Sequence, residues 1–266
     1  MLTDLHNHTC HFSPDAKMTI DELIDEAVRK GLSVVGITEH YEYDNPDPND
    51  NIQTFDLDEY AKTFPKWQSM CPPTLLLLKG IEFGYQTHTA KTLDCIALEH
   101  DFDIVNLSKH LFRGVDCYYS EEAYKLDKIT RHKEYIGDMA DMVERCSNFD
   151  VCSHYDYVVK CSKVPHENIL YEDCPKEFDR LFEALIYKEK ALEINTSTSV
   201  RRDIMPDPEV IKRYLSMGGK LITLASDAHV KENLGKAIPD FAEFLKAYGV
   251  RSTCYFKKHK PEIVGI

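Results

Sequence analysis

Basic residues are scarce: 32 Lys and Arg stand against 45 Asp and Glu in 266 residues, for a formal net charge of -13. That balance argues against a large nucleic-acid footprint, because phosphate backbones are gripped by clustered Lys and Arg. A local basic pocket for one phosphate stays open. Long apolar runs are also lacking, and none approaches the roughly 18 consecutive apolar residues of a membrane span. Asp4 and His6 stand where a signal peptide needs a basic and then an apolar run. A cytoplasmic protein without a membrane partner is therefore expected. The nine cysteines form no C-x-x-C pair and are odd in number, which fits reduced, mainly buried thiols better than disulfides or a thiolate zinc site. No low-complexity segment, linker or internal repeat interrupts the chain, so a single domain over residues 1–266 is expected.

What recurs is a short apolar run followed by a helical pattern. In MTIDELIDEAVRKG, residues Ile20, Leu23, Ile24, Ala27 and Val28 share one stripe, Thr19 and Glu22 make a capping box, and Gly31 is a stop. TDLHNH, LSVVGITEH, TLLLLKGIEF, DIVNLSKH, DVCSHYD, ALEINTS and KLITLASDAH are seven candidate strands. Helical patterns fit near 90–100, 120–147, 175–189, 207–217 and 239–248. The 41–73 stretch holds turn residues and then DLDEYAKTFPKWQSM, which reads as a helix broken near Pro65. This alternation predicts βαβ units and a parallel sheet.

The polar residues that end these runs carry the chemistry. His6 and His8 close the first, His40 the second, Glu82 the third and His110 the fourth; His154 lies in the fifth, and Asp227 and His229 close the last. In an α/β barrel the C-terminal strand ends meet at one mouth, and residues two apart on a strand share a face. Asp15 can fold back from the loop after the first strand. Taken singly, a strand-end histidine usually hydrogen-bonds or faces water, Glu82 could be a solvated charge, and Asp227 could cap a turn. Taken together, six of the twelve histidines close strands. His11, His88, His100, His132, His166 and His259 are left as surface residues. Six imidazoles and three carboxylates suit zinc, manganese or iron, and Glu82 can bridge two ions. Phosphate ester hydrolysis is the first hypothesis and amidohydrolase-type chemistry the second.

The set of H-x-H at His6 and His8, Asp15 in SPDA, TEH, GIEF, SKH, SHYD and SDAH resembles the polymerase and histidinol phosphatase (PHP) superfamily across nearly the whole chain. Within it, HTCHFSPDA, SKHLF, LEINTS and SDAH before NLG resemble the monofunctional histidinol-phosphate phosphatases. The resemblance implies a distorted (β/α)7 TIM-like barrel with three divalent metal ions at the C-terminal mouth, held by His6, His8, Asp15, His40, Glu82, His110, His154, Asp227 and His229. Glu82 is the implied bridge. It implies phosphate contacts at Lys160 and Arg201, with Arg202 the substitute for Arg201. Arg113, Asn195 and Ser197 are further candidate substrate contacts, and Asp156 is a candidate for orienting a ligand. The implied reaction is in-line attack of a metal-bridging hydroxide on L-histidinol phosphate. Asp227, His229 and a metal-bound water are left open as leaving-group acid, and Glu39, Glu42 and Tyr118 are placed near the amine and imidazole. Nucleotide or DNA-end hydrolysis, phosphotyrosine hydrolysis and a non-catalytic metal-binding barrel are the rivals.

Overall fold

The computed structural model describes residues 1–48 and 50–266. In chain order its elements are β1 (Thr3–Asp4), α1 (Ile20–Lys30), β2 (Val34–Tyr41), α2 (Leu57–Met70), β3 (Leu76–Gly84), α3 (Ala90–Glu99), β4 (Ile104–Ser108), β5 (Leu111–Phe112) and β6 (Val115–Asp116). There follow α4 (Lys128–Arg145), β7 (Val151–Cys152), α5 (Pro175–Tyr187), β8 (Ala191–Asn195), α6 (Ser197–Arg202), α7 (Pro208–Ser216), β9 (Ile222–Ala225), α8 (Ile238–Ala247), β10 (Ser252–Lys257) and β11 (Lys260–Gly265).

Seven strands run parallel in the order β1-β2-β3-β4-β7-β8-β9. Past the paired part of β1, an Asn7–Ala228 bridge and bonds from Leu5 N to Leu224 O (3.2 Å), Asp227 N to His6 O (2.9 Å) and His8 N to Ala228 O (3.0 Å) join the two edges. The sheet thus closes as the expected distorted (β/α)7 barrel. Among the described residues, no helix is long and apolar enough to cross a membrane.

Local sequence accounts for the first helix. Thr19 and Glu22 form the reciprocal capping box, Gly31 ends the helix at φ 69°, and Ile20, Leu23, Ile24 and Ala27 are buried. Val28, assigned to the same stripe, lies at its margin and is 47% exposed. Two helical expectations need correction. The helix over 57–70 is not broken at Pro65. Tyr60, Phe64 and Trp67 bury one face, with Tyr60 Oη donating to Gly80 O at 3.0 Å, while Ala61 and Pro65 are both exposed. The carbonyl freed at residue 61 is thus solvated, which softens a cost that reaches roughly 3 kcal/mol in a helix interior. The 120–147 pattern divides into a short 3-10 turn at Glu122–Lys125 and α4, which starts under the Asp127 cap.

The β10–β11 hairpin was not foreseen. Cys254 and Phe256 of β10 pack with Leu5, Val34, Leu78, Ile104, Val151 and Ala191, the inward side chains at the N-terminal end of the barrel. The hairpin therefore floors the barrel. His259 is exposed, as expected, and its ring binds Asp150 at 2.9 Å from the turn of this hairpin.

Candidate metal and phosphate site

The site forms where the parallel strands end, above a barrel closed from below. β2 and β3 pair with His40 opposite Glu82, so a local register sets an imidazole beside a carboxylate. Glu82 is fully buried and is the hub. Its Oε1 accepts from Ser108 Oγ (2.5 Å) and faces His154 Nε2 (2.9 Å) and His110 Nε2 (3.1 Å). Oε2 lies 2.8 Å from His40 Nδ1, 3.2 Å from His6 Nε2 and 3.6 Å from His8 Nε2. Asp227 Oδ1 stands 3.4 Å from His8 Nε2, and Asp15 Oδ2 reaches His229 Nε2 at 3.0 Å and His40 Nε2 at 3.6 Å. All nine candidate ligands therefore meet in one place.

Donor atoms of His6, Glu82 and His154 lie within 4.8 Å of one another, as do those of His6, His8 and Asp227, of His8, His40 and His229, and of His40, Glu42 and His110. His6 Nε2, His8 Nε2, His40 Nδ1, Glu82 Oε2 and Asp15 Oδ1 are buried without an aligned hydrogen bond, and His40 Nε2 confronts His229 Nε2 at 3.2 Å. Buried polar atoms are costly unless paired. Convergent imidazole nitrogens and carboxylate oxygens in this state fit divalent metal ions.

The charges are already arranged for cations. Burial raises the Glu82 carboxyl, but His6, His110 and His40 hold it well below the usual carboxylate range. Asp227 is likewise held low against its burial, by Lys160, whose Nζ is 2.5 Å away, and by His6. Burial opposes protonation of His40, yet Glu82 and Asp15 push it up to about 10. His8 falls well below the ordinary histidine range through burial and the neighbouring His40 and His229.

A layer of partners behind the donors was largely missed. Glu193, buried on β8, faces His6 Nδ1 with Oε2 (3.0 Å), while its Oε1 accepts from His154 N (3.1 Å) and Asn195 Nδ2 (2.8 Å). It turns His6 Nε2 toward the hub. The available signal was a lone carboxylate inside the apolar run ALEIN. Glu193→Gln is expected to weaken metal retention roughly 10- to 100-fold, the range for carboxylates that orient metal-bound histidines. Metal content after dialysis against graded chelator, with thermal stability in parallel, checks this. Glu42 receives His110 Nδ1 at 2.7 Å, an approach that a side chain at Gly84 would block because a Cβ there would lie 1.7 Å from the Glu42 carboxylate.

Several proposed contacts lie elsewhere. Arg113, at φ 54° in the turn between β5 and β6, does not line the mouth and pairs in a fork with Glu134 at 2.9 and 2.7 Å. Asn195 is spent on Glu193 and on Ser197 N (2.9 Å). Glu39 is buried beneath the mouth under Thr9 and Ser13, its carboxyl pushed up to about 7 by burial against those hydrogen bonds. Asp156 is buried with its Oδ1 unpartnered, and burial pushes its carboxyl up to about 6 against the pull of Lys160. His132, left at the surface, is fully buried beside Glu167 and Asp173. By contrast Lys160, Arg201, Ser197, Glu42 and Tyr118 line a cavity of about 470 Å³ with Asp50, Asp116 and Tyr119, and Arg201 Nη2 donates to Tyr118 Oη at 3.0 Å.

Residues 4–197 match the PHP domain, and the chain belongs to that family. Its relatives include a probable histidinol-phosphatase of Clostridium acetobutylicum, 30% identical over 240 residues that cover 88% of this chain and 89% of the relative. The histidinol-phosphatase of Lactococcus lactis subsp. lactis is 26% identical over 266 residues, covering 97% and 95%. The fold is similar to that of the solved histidinol phosphate phosphatase from Lactococcus lactis subsp. lactis, complexed with zinc, L-histidinol and phosphate (TM-score 0.86, 24% identity, 98% of each chain).

Proposed function

We propose that this chain is a metal-dependent phosphomonoesterase that hydrolyses L-histidinol phosphate to L-histidinol and phosphate, with residues 1–266 acting as one domain. The observation that carries this reading is the meeting of nine donor residues at one mouth beside Lys160 and Arg201, in a chain of this family. The donor groups overlap through His6, His8 and His40, which supports a reading of three divalent ions of zinc, manganese or iron, and Glu82, whose two oxygens face different histidines, can serve more than one of them. Bound there, such ions would supply positive charge to phosphoryl oxygens and acidify a water toward neutrality.

The protein's own groups bring both charges to the cavity. Lys160 is a point charge and Arg201 a planar fork for the phosphate, and the Ser197 hydroxyl, 3.2 Å from Asp227 Oδ2, lines the same space. Glu42, Asp50, Asp116, Tyr118 and Tyr119 also line it, carboxylates and aromatic rings suited to an amine and an imidazole, with Tyr118 directly beside Arg201. Burial pushes the Asp116 carboxyl up to about 6 against the pull of His110. Lys160 favours the anionic form of Asp227 against its burial, which supports Asp227 as a carboxylate ligand to the ions.

Phosphate release from histidinol phosphate, a nucleoside monophosphate, a phosphotyrosine peptide and p-nitrophenyl phosphate tests the reading. Histidinol phosphate is expected to be preferred by at least about tenfold in kcat/KM, about 1.4 kcal/mol. Activity should vanish with chelator and return with zinc, manganese or iron. Preference for another ester would overturn the substrate, and no hydrolysis of any after reconstitution would overturn the phosphatase.

A further inference from the structure

Lys160 and Arg201 arrive at the mouth from different places. Lys160 belongs to the connection between β7 and α5, and Arg201 to the last turn of α6, which follows β8. They are like charges, and the Arg201 guanidinium works against the protonated form of Lys160. The two cations sit on separate elements, and their mutual repulsion alone would drive them apart. The adjacent Arg202 turns the other way and does not line the mouth. Its Nη1 donates to Ser162 O and its Nη2 to Val164 O, the latter at 2.5 Å. Both carbonyls lie just beyond Lys160 in the chain. The far side of the same turn is anchored independently. Ser162 Oγ donates to buried Glu167 and accepts from Val164 N at 3.2 Å, while Glu167 also takes Arg131 Nη2 from α4. The Glu167 carboxyl, which burial alone would raise, is held down to about 2 by His132, Ser162 and Arg131.

We propose that Arg202 is a positioning residue, stitching the α6 turn to the 160–164 turn so that Lys160 and Arg201 form a preset two-cation cradle. This rests on the assignment of those two cations to the substrate phosphate. A preset cradle matters because cations that must be gathered at binding subtract their ordering cost from affinity. A fork onto two carbonyls also fixes both distance and direction, which a single ammonium cannot do.

Steady-state kinetics and inhibition by inorganic phosphate, with metal content measured on every variant, test this. Arg202→Ala is expected to raise KM for the phosphate ester and Ki for phosphate together by about 10- to 30-fold, within the worth of charged hydrogen bonds. Its kcat should stay within about threefold and its metal content unchanged, since Arg202 touches no donor. Arg202→Lys, able to hold one carbonyl, should fall between, and millimolar guanidinium should restore part of the phosphate affinity of Arg202→Ala. If Lys160→Ala and Arg201→Ala raise KM and Ki while neither Arg202 variant does, the positioning role is wrong and the cradle stands. Should Lys160→Ala and Arg201→Ala leave both constants unmoved, the phosphate assignment itself falls. Loss of metal, kcat and thermal stability in step for the Arg202 variants, without a specific rise in KM, would make Arg202 merely structural and overturn the proposal.

Discussion

Glu82→Gln is expected to lower phosphate release by about 10³-fold, roughly 4 kcal/mol of lost transition-state stabilisation, and to strip metal from the protein. The reason is the position of its charge. Both carboxylate oxygens are enclosed by donors: Ser108, His110 and His154 surround Oε1, and His6, His8 and His40 surround Oε2. An amide of the same size replaces one acceptor with a donor, so one of these two groups would face an NH2. It also removes the negative charge that His6, His40 and His110 hold in place. Partners on strands far apart in sequence lose their common anchor at once. Metal analysis beside phosphate-release assays measures the effect, with Glu134→Gln, at the exposed Arg113 pair, as a control expected to change less than about twofold. A Glu82→Gln protein that keeps full metal content and loses less than tenfold in rate would contradict the central role.

Asp4→Ala costs about 3 to 5 kcal/mol of stability, the larger of the stability effects expected here. Asp4 is completely buried at the seam where the barrel closes. Its Oδ1 accepts from Ser226 N at 2.8 Å, and its Oδ2 accepts from Ser226 Oγ at 2.5 Å and Gly235 N at 2.7 Å. Truncation leaves the Ser226 N–H unmet beside an empty space and the Gly235 N–H and Ser226 hydroxyl on their longer bonds to Ser226 Oγ (3.1 Å) and Asn7 Oδ1 (3.2 Å), and an unmet buried donor costs about 1–3 kcal/mol on top of the lost charged hydrogen bonds. For a chain of this size that loss lowers Tm by roughly 10 °C. Ser226 precedes Asp227, so the same loosening reaches the site, and metal retention should weaken with stability. Urea unfolding followed by far-UV circular dichroism checks the first effect, and a midpoint within error of the parent would refute it.

Much of the barrel was legible because its signals are local. The Thr19–Glu22 box and the Gly31 stop define α1 within a dozen residues, and runs such as SVVGITEH declare buried parallel strands by composition. Alternation along a strand then places His6 with His8, and the strand ends name His40, Glu82, His110, His154, Asp227 and His229. Glu193 was harder to see, since its meaning depends on His6, 187 residues away. The floor hairpin escaped for the same reason. Nothing in STCYFK states that Cys254 and Phe256 will meet Leu5, Leu78 and Ile104.

By itself the sequence determined which residue types close the parallel strands, and therefore that imidazoles and carboxylates crowd one end of a barrel. Period-two alternation and strand ends are properties of a few neighbouring residues, so they survive without the fold. Only the tertiary structure decided which cations face the mouth. Lys160 and Arg201 turn inward, while Arg113 goes to Glu134 and Arg202 to the carbonyls of Ser162 and Val164. All four sit in turns or at a helix end, where side-chain direction follows from partners distant in sequence.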